Sequence, residues 1–467
     1  MKKIIILTIL IGCSGRSFSK DNVKIHGNIS HQLADSIKIS WSPPAARYQP
    51  IAYKAKLNKG DFAIAFNVPE GYTDLTIING NEGTEILVQP GADLTLTINA
   101  ANFDSTVHYE GHGKEIANYM AKCIVEKHSI GDVDLKAQKL SSKEIPEYRT
   151  GLKQLLESET GYLQTNGKDL PPDFIEYIKT AQQYEVWYTM HMYPWHRSKG
   201  GKETPKESYA VIDDIPEAFD DKYINMLSYR AFLNNFFGMR ISAGNARNNT
   251  TLPDNSWSDS VYAMSYRGMP PLSAEYIVGS RIYNSMQHTT LEQIEQQYAL
   301  YKAHFPHSKN LPDLVEAISQ KKMIGPGKPE VDFDITTPEG KHMKLSDLKG
   351  KVVYIDFWSR SCVPCIAEMS KAKKVREHFK DRPVAFVYVS EDENDGIWKK
   401  AINDFEIDAI NTHLEKGKLS ELVKTYKAEA IPCHYLIDKN GKFADVKAVE
   451  PAGEPEKLIT QIEKLLE

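Results

Sequence analysis

Cys362-Val363-Pro364-Cys365 places two thiols two residues apart, directly after the apolar run Val352-Val353-Tyr354-Ile355-Asp356-Phe357-Trp358 and before a segment with helical periodicity. A thiol pair at the mouth of a strand, opening a helix, reads as a redox site. Pro364 fits the first helical turn, where unpaired N–H groups and the helix dipole favour a thiolate over a thiol. A fall in thiol pKa from about 8.5 to about 7 raises the reactive thiolate from a few per cent to roughly half at neutral pH. Cys362 is therefore expected to be the nucleophile. Cys365, one turn further in, is expected to resolve the mixed disulfide that Cys362 forms with a partner. Zinc is the competing chemistry, since Cys433-His434 would complete a three-sulfur, one-nitrogen set. The chain has no second C-x-x-C, and a zinc ribbon has no need of a strand-to-helix context, so no metal or other cofactor is expected.

The elements that must position this pair belong to a chain of 467 residues, too long for one ordinary core. With 41% hydrophobic and 25% charged residues it is globular, and a net charge of -5 gives no electrostatic support for nucleic-acid binding. Met1-Lys2-Lys3 is a basic start, and Ile4 to Ile11 an apolar stretch too short to span a bilayer, which reads as a removed signal. Leu10-Ile11-Gly12-Cys13 resembles the lipobox of bacterial lipoproteins, which implies that Cys13 is lipid-modified and anchors the mature chain to a membrane. Ser17-Phe18-Ser19 is a rival cleavage site of the ordinary secretory kind. Either route takes the chain out of the cytoplasm. Besides Cys13, only Cys123, Cys362, Cys365 and Cys433 remain, too few for a disulfide-stapled scaffold.

Four segments are expected: a signal or lipoprotein segment at 1–19, a β-sandwich at 20–110, a helical domain at 111–325 and a redox domain at 326–467. In the second, Phe62 to Phe66, Leu75 to Ile78, Glu85 to Val88 and Leu94 to Ile98 read as strands between turn signals, which suggests an antiparallel sandwich. In the third, helical periodicity runs through Glu115 to His128, Tyr148 to Ser158, Pro172 to His191, Asp221 to Phe237 and Leu291 to Phe305. Its dense aromatics, among them Tyr184, Trp187, Tyr229, Phe232 and Phe236, read as packing core, with a partner-holding groove as the alternative. His191 and His196 have the wrong spacing for one helix face, and Pro194 is expected to interrupt a helix between them. Cys123 reads as a small buried hydrophobe. Ile324-Gly325-Pro326-Gly327-Lys328-Pro329 reads as a linker.

After that segment come a short hairpin, the strand at Val352, the Cys362 helix, a strand over Val384 to Ser390, two helices, a hairpin turning at Asn440-Gly441 and a last helix. Lys351 to Cys365, Ala430-Ile431-Pro432 and Tyr435-Leu436-Ile437-Asp438-Lys439-Asn440-Gly441 together resemble the exported thiol-disulfide oxidoreductases of the TlpA/ResA group, within the thioredoxin superfamily. The resemblance covers the redox domain alone and implies an α/β thioredoxin fold there. The upstream regions resemble those that precede this domain in lipoproteins of Bacteroidetes-type bacteria, a match with little functional content.

The resemblance also implies roles. Asp356 matches the buried aspartate that relays a proton to the resolving cysteine, and a carboxylate in apolar surroundings holds a proton more readily. Glu368, one turn after Cys365, matches the glutamate of the ResA group. Pro432 matches the cis-proline facing the disulfide, with Ile431 before it presenting backbone to a substrate, and Trp358 is placed beside the site. Three positions depart from the pattern: Ser361 stands where Trp is usual, Ser370 where a helix-kinking proline is common, and Cys433 where Thr is usual. Cys433 is a candidate third redox thiol, against a buried structural cysteine. The expected function is a periplasmic, lipid-anchored thiol-disulfide oxidoreductase that reduces protein disulfides of the cell envelope and is recharged by a membrane redox donor. The alternative is a binding or scaffold lipoprotein whose thioredoxin-like domain is a packing module without turnover.

Overall fold

The computed structural model describes residues 21–45, 50–198, 204–250, 256–286, 289–392, 394–426, 428, 431–451 and 455–467. The signal segment and Cys13 lie outside them. The chain divides into two compact units, one built from residues up to 284 with 299–311, the other from 285–298 with 312–467.

The first unit opens with β1 (Val23–Ser30), β2 (Ser36–Trp41), β3 (Ile51–Lys56), β4 (Asp61–Phe66), β5 (Thr73–Asn79), β6 (Glu82–Val88), β7 (Asp93–Asn99) and β8 (His108–His112). They form two four-stranded sheets, ordered β4-β1-β7-β8 and β3-β2-β5-β6. Strict alternation, as in β4 with Phe62, Ile64 and Phe66 inward, buries one face of each sheet. Ile25 and Leu94 from one sheet and Ile37, Leu75 and Ile86 from the other share a single core, as a sandwich requires. The expected antiparallel pattern holds with one correction. β7 enters its sheet beside β1 in the same direction, so that pair is parallel. There Gly27 faces the β7 backbone so closely that a Cβ would lie 1.8 Å from the Leu96 carbonyl oxygen.

Up to residue 323 the described helices are α1 (Phe103–Thr106), α2 (Lys114–Glu126), α3 (Ile130–Leu140), α4 (Ile145–Asn166), α5 (Pro172–Arg197), α6 (Leu227–Asn248), α7 (Ser256–Gly268), α8 (Pro271–Ser285), α9 (Leu291–His304) and α10 (Leu311–Met323). Tyr184 of α5 and Tyr229, Phe232 and Phe236 of α6 are buried in one aromatic core, with Trp187 packed against it. Pro194 does not end α5, contrary to expectation, and the helix runs on to Arg197. The proline falls in the last turn, where its missing N–H leaves one carbonyl unpaired and buried Tyr193 anchors the chain through its hydroxyl to the Lys143 carbonyl at 2.8 Å. His191 and His196 then diverge, the first into the core beside Phe232 and Phe236, the second toward Ser141 at 3.2 Å. Cys123 is buried on α2.

The second unit carries β9 (Asp334–Thr336), β10 (His342–Lys344), β11 (Val352–Trp358), α11 (Val363–His378), β12 (Val384–Ser390), α12 (Asp395–Asp404), β13 (Ile410–His413), α13 (Lys416–Tyr426), β14 (Cys433–Ile437), β15 (Phe443–Asp445) and α14 (Pro455–Leu466). β9 and β10 form a separate hairpin, and the rest make a five-stranded sheet ordered β13-β12-β11-β14-β15. β11 lies at its centre, parallel to β12 and antiparallel to β14, and is buried along its whole length. One face of this sheet packs Ile355, Phe357 and Tyr435, and the other Tyr354, Trp358 and Leu436. The segment expected as a linker is tied down. Ile324 is buried, the Gly327 amide donates to the Phe443 carbonyl at 2.7 Å, and the Phe443 amide donates to that of Lys328 at 2.8 Å. No described helix is long and apolar enough to cross a membrane.

Candidate functional site

Cys362 caps the N-terminus of α11. Its sulfur lies 3.2 Å from the Cys365 amide nitrogen, in the place where a capping side chain accepts from the first turn. Pro364 occupies that turn, where no intrahelical donor is lost. The two sulfurs are joined in a disulfide at 2.03 Å. They are unequally placed: Cys362 is half-buried, whereas Cys365 is 1% exposed. Val363 between them is 78% exposed and supplies apolar surface next to the reachable sulfur.

The bend from β11 into α11 is held by Asp392, a residue that no motif in the chain points to. Both of its carboxylate oxygens accept from the Arg360 amide at 3.0 Å, and one accepts from the Ser390 hydroxyl at 2.9 Å. The Cys362 amide donates back to the Ser359 carbonyl at 3.2 Å. Ser361 is exposed, its hydroxyl 3.1 Å from that of Ser359. α11 continues through position 370 without a break.

Asp356 on β11 and Glu368, one turn after Cys365 on α11, are both buried. Their surroundings differ from the apolar ones expected for Asp356. His434, considered from sequence only as a zinc ligand, stands between them, its Nε2 3.4 Å from Asp356 Oδ1 and 3.1 Å from Glu368 Oε2. Neither contact has the straight N–H···O geometry of a hydrogen bond, so charge dominates the attraction. Burial lowers the basicity of this imidazole, but Asp356 and Glu368 outweigh it and raise its pKa from 6.5 to about 10. Among the described residues this is the one group of three His, Cys, Asp or Glu side chains whose polar atoms converge within 4.8 Å. Two buried carboxylates need a nearby positive charge, and the imidazolium provides it from within the chain.

The peptide bond between Ile431 and Pro432 is cis. Ile431, like Cys362, packs against the core that contains Cys365, and Pro432 is half-buried just before β14. Trp358 packs beside the site, in the core with Cys365, and because it ends a strand buried on both faces it has no exposed surface to offer a substrate. Cys433 does not join His434 and the sulfurs of α11 in a four-ligand set. Strand alternation sends it to the opposite face of the sheet, where it packs near Tyr435, with its sulfur 3.2 Å from the Tyr435 hydroxyl oxygen.

Comparison with known proteins matches residues 326–446 to the AhpC/TSA family. A thiol-disulfide oxidoreductase ResA of Bacillus cereus is 30% identical over 145 residues, 31% of this chain and 82% of its own length. That of Bacillus anthracis is 32% identical over 127 residues, 27% of this chain and 72% of its own. Among solved structures, the thioredoxin domain of a thiol-disulfide oxidoreductase from Bacteroides vulgatus is 27% identical, with a TM-score of 0.29 over 31% of this chain and 99% of that one. A thiol:disulfide interchange protein DsbE from Chlorobium tepidum is 28% identical, with a TM-score of 0.28 over 31% of this chain and 99% of its own.

Proposed function

Since the chain belongs, through its C-terminal thioredoxin-like domain, to the ResA thiol-disulfide oxidoreductases, we propose that it reduces protein disulfides outside the cytoplasm through Cys362 and Cys365. The observation that carries this reading is the unequal exposure of the pair: one sulfur reachable at a helix N-terminus, the other enclosed one turn behind it. In the reduced protein the Cys362 thiolate attacks a partner disulfide, forming a mixed disulfide and expelling the partner's first thiolate. Cys365 loses its proton to the carboxylates below and attacks the Cys362 sulfur. That step closes the intramolecular disulfide and expels the partner's second thiolate. Two electrons pass to the partner, and an external dithiol donor at the membrane returns them. Asp356 and Glu368 serve as the proton acceptors, and Ile431-Pro432 with Val363 forms the surface against which an extended partner segment lies.

The export signal and the Cys13 lipobox support a location on the periplasmic side of a bacterial membrane, held by an N-terminal lipid anchor. Mass spectrometry of the mature N-terminus tests the anchor, and an unmodified chain beginning at Lys20 would rule it out. The redox reading is tested by Cys362→Ser in an insulin or glutathione-disulfide assay, where activity should vanish. Cys365→Ser should accumulate partners as stable mixed disulfides and so identify them. Full activity in Cys362→Ser would overturn the proposal.

A further inference from the structure

We infer that His434 is a positioning residue for the resolving step: set between Asp356 and Glu368, it lets both carboxylates stand ionised beneath Cys365 and so fixes the pH at which that thiol gives up its proton. The inference rests on the reaction proposed above and adds to it a residue to which the C-x-x-C motif assigns no role.

The argument begins with crowding. Asp356 on β11 and Glu368 on α11 converge on one buried point, each within 3.4 Å of the same imidazole nitrogen. Two carboxylates converging in a water-poor site repel each other, and burial penalises the charged form of each unless a positive charge stands between them. A carboxyl group already protonated cannot accept the proton of a thiol. With an imidazolium between them the charges sum to -1 (Asp -1, Glu -1, His +1), and one proton from Cys365 brings the cluster to neutrality. The balance is complete within the reaction: Cys365–SH and Cys362–S–S–R give the Cys362–Cys365 disulfide and R–SH. The carboxylates hold the proton only until the departing thiolate takes it.

The other groups around His434 leave it this role. The Tyr354 ring stacks on the imidazole with centroids 5.5 Å apart, and its hydroxyl turns away toward the Val449 carbonyl at 3.4 Å. Tyr388 of β12 presents its hydroxyl to the Arg376 guanidinium at 2.9 Å, so the positive charge nearest on α11 is already engaged. Glu450 acts on Tyr354 from the loop after β15. The backbone neighbours Cys433 and Tyr435 face the other side of the sheet. Among the described residues, His434 is the one cation in contact with either carboxylate.

The test uses the full chain, fully reduced, with one equivalent of DTNB. The first release of thionitrobenzoate reports attack by Cys362, and the second reports resolution by Cys365. His434→Gln keeps an N–H donor and removes the charge. It should leave the first release unchanged and move the pH midpoint of the second upward by at least one unit, about ten-fold slower at pH 7. His434→Lys keeps a positive charge between the carboxylates and should hold the midpoint near that of the wild type. The contrast between the Lys and Gln variants carries the test, since a merely structural role would not distinguish them by charge. An unshifted midpoint in His434→Gln, or both releases slowed equally at every pH, would overturn the inference. So would one equivalent of bound metal whose chelation reproduces the shift, since the cation between the carboxylates would then be the metal. Absence of a first release from the wild type would instead defeat the proposed reaction itself.

Discussion

Asp356 and His434 are register partners on β11 and β14, and their side chains leave the sheet on the same face to meet at 3.4 Å. The carboxylate that would accept a proton is thus tied to a cation supplied by the strand that follows the cis-proline. Residues of β11, α11 and β14 are joined through one charge cluster, so the packing of these three elements depends on pH.

Stability should decline as the medium becomes alkaline. The His434 pKa, raised to about 10 from 6.5, makes the folded chain hold this proton more tightly than the unfolded one. The contribution is fully present below the unfolded value near 6.5 and is lost as pH rises through about 10. Over that window the slope from this group is at most about 1.4 kcal/mol per pH unit. Urea midpoints of the wild type should fall between pH 7 and pH 9.5, and fall less in His434→Gln. Identical slopes in the two proteins would refute the linkage.

Asp392→Ala should loosen the bend that presents Cys362. It leaves the Arg360 amide without its acceptor, a loss of about 1 kcal/mol. The attack of Cys362 on DTNB should slow several-fold while far-ultraviolet circular dichroism stays unchanged. An unaltered attack rate would show that the bend holds itself.

His191 should be a liability rather than a site. Both ring nitrogens are buried without a hydrogen-bond partner among the described residues, and burial, aided by Arg240, pushes its pKa down to about 3. A histidine kept neutral by folding stabilises above its unfolded value near 6.5 and loses that contribution as pH falls toward about 3. His191→Leu should raise stability by about 1–2 kcal/mol and flatten the acid side of the stability curve. A destabilised variant with an unchanged acid limb would contradict this.

Gly27→Ala should be among the most damaging single changes in the sandwich. The added methyl would meet the Leu96 backbone at 1.8 Å in the middle of the parallel β1–β7 pair, an overpacking cost of about 3 kcal/mol. Thermal melting would reveal it, and a wild-type transition would mean that the two strands can separate without penalty.

What the sequence made legible follows from how local each signal is. The apolar run of β11, the thiols with Pro364 and the Asn440-Gly441 turn each declare themselves within a few residues, and the elements of the second unit lie close to where those signals put them. β13 escaped notice because Ile410–His413 is short and carries polar Asn411 and Thr412, both buried. β3 escaped because its outward residues dominate and little of it is buried. Pro194 removes one helical N–H without ending α5, because packing holds the turn it sits in, with Tyr193 buried and its hydroxyl bonded to the Lys143 carbonyl. His434 reads from sequence only as a possible zinc ligand, since its contacts depend on pairing with a strand far away in sequence. Asp392 was invisible for the same reason: its partner is a backbone amide, which no residue type announces.

Strand alternation in β14 separates two consecutive residues into two layers, His434 with Asp356 and Glu368 and Cys433 across the sheet. One peptide bond thus joins a member of the buried charge cluster to a thiol on the opposite face. A small reporter attached at Cys433 would register events at the carboxylate cluster only if the strand's backbone moves. A silent label there during turnover would mean that charge travels through this sheet while the main chain stays still.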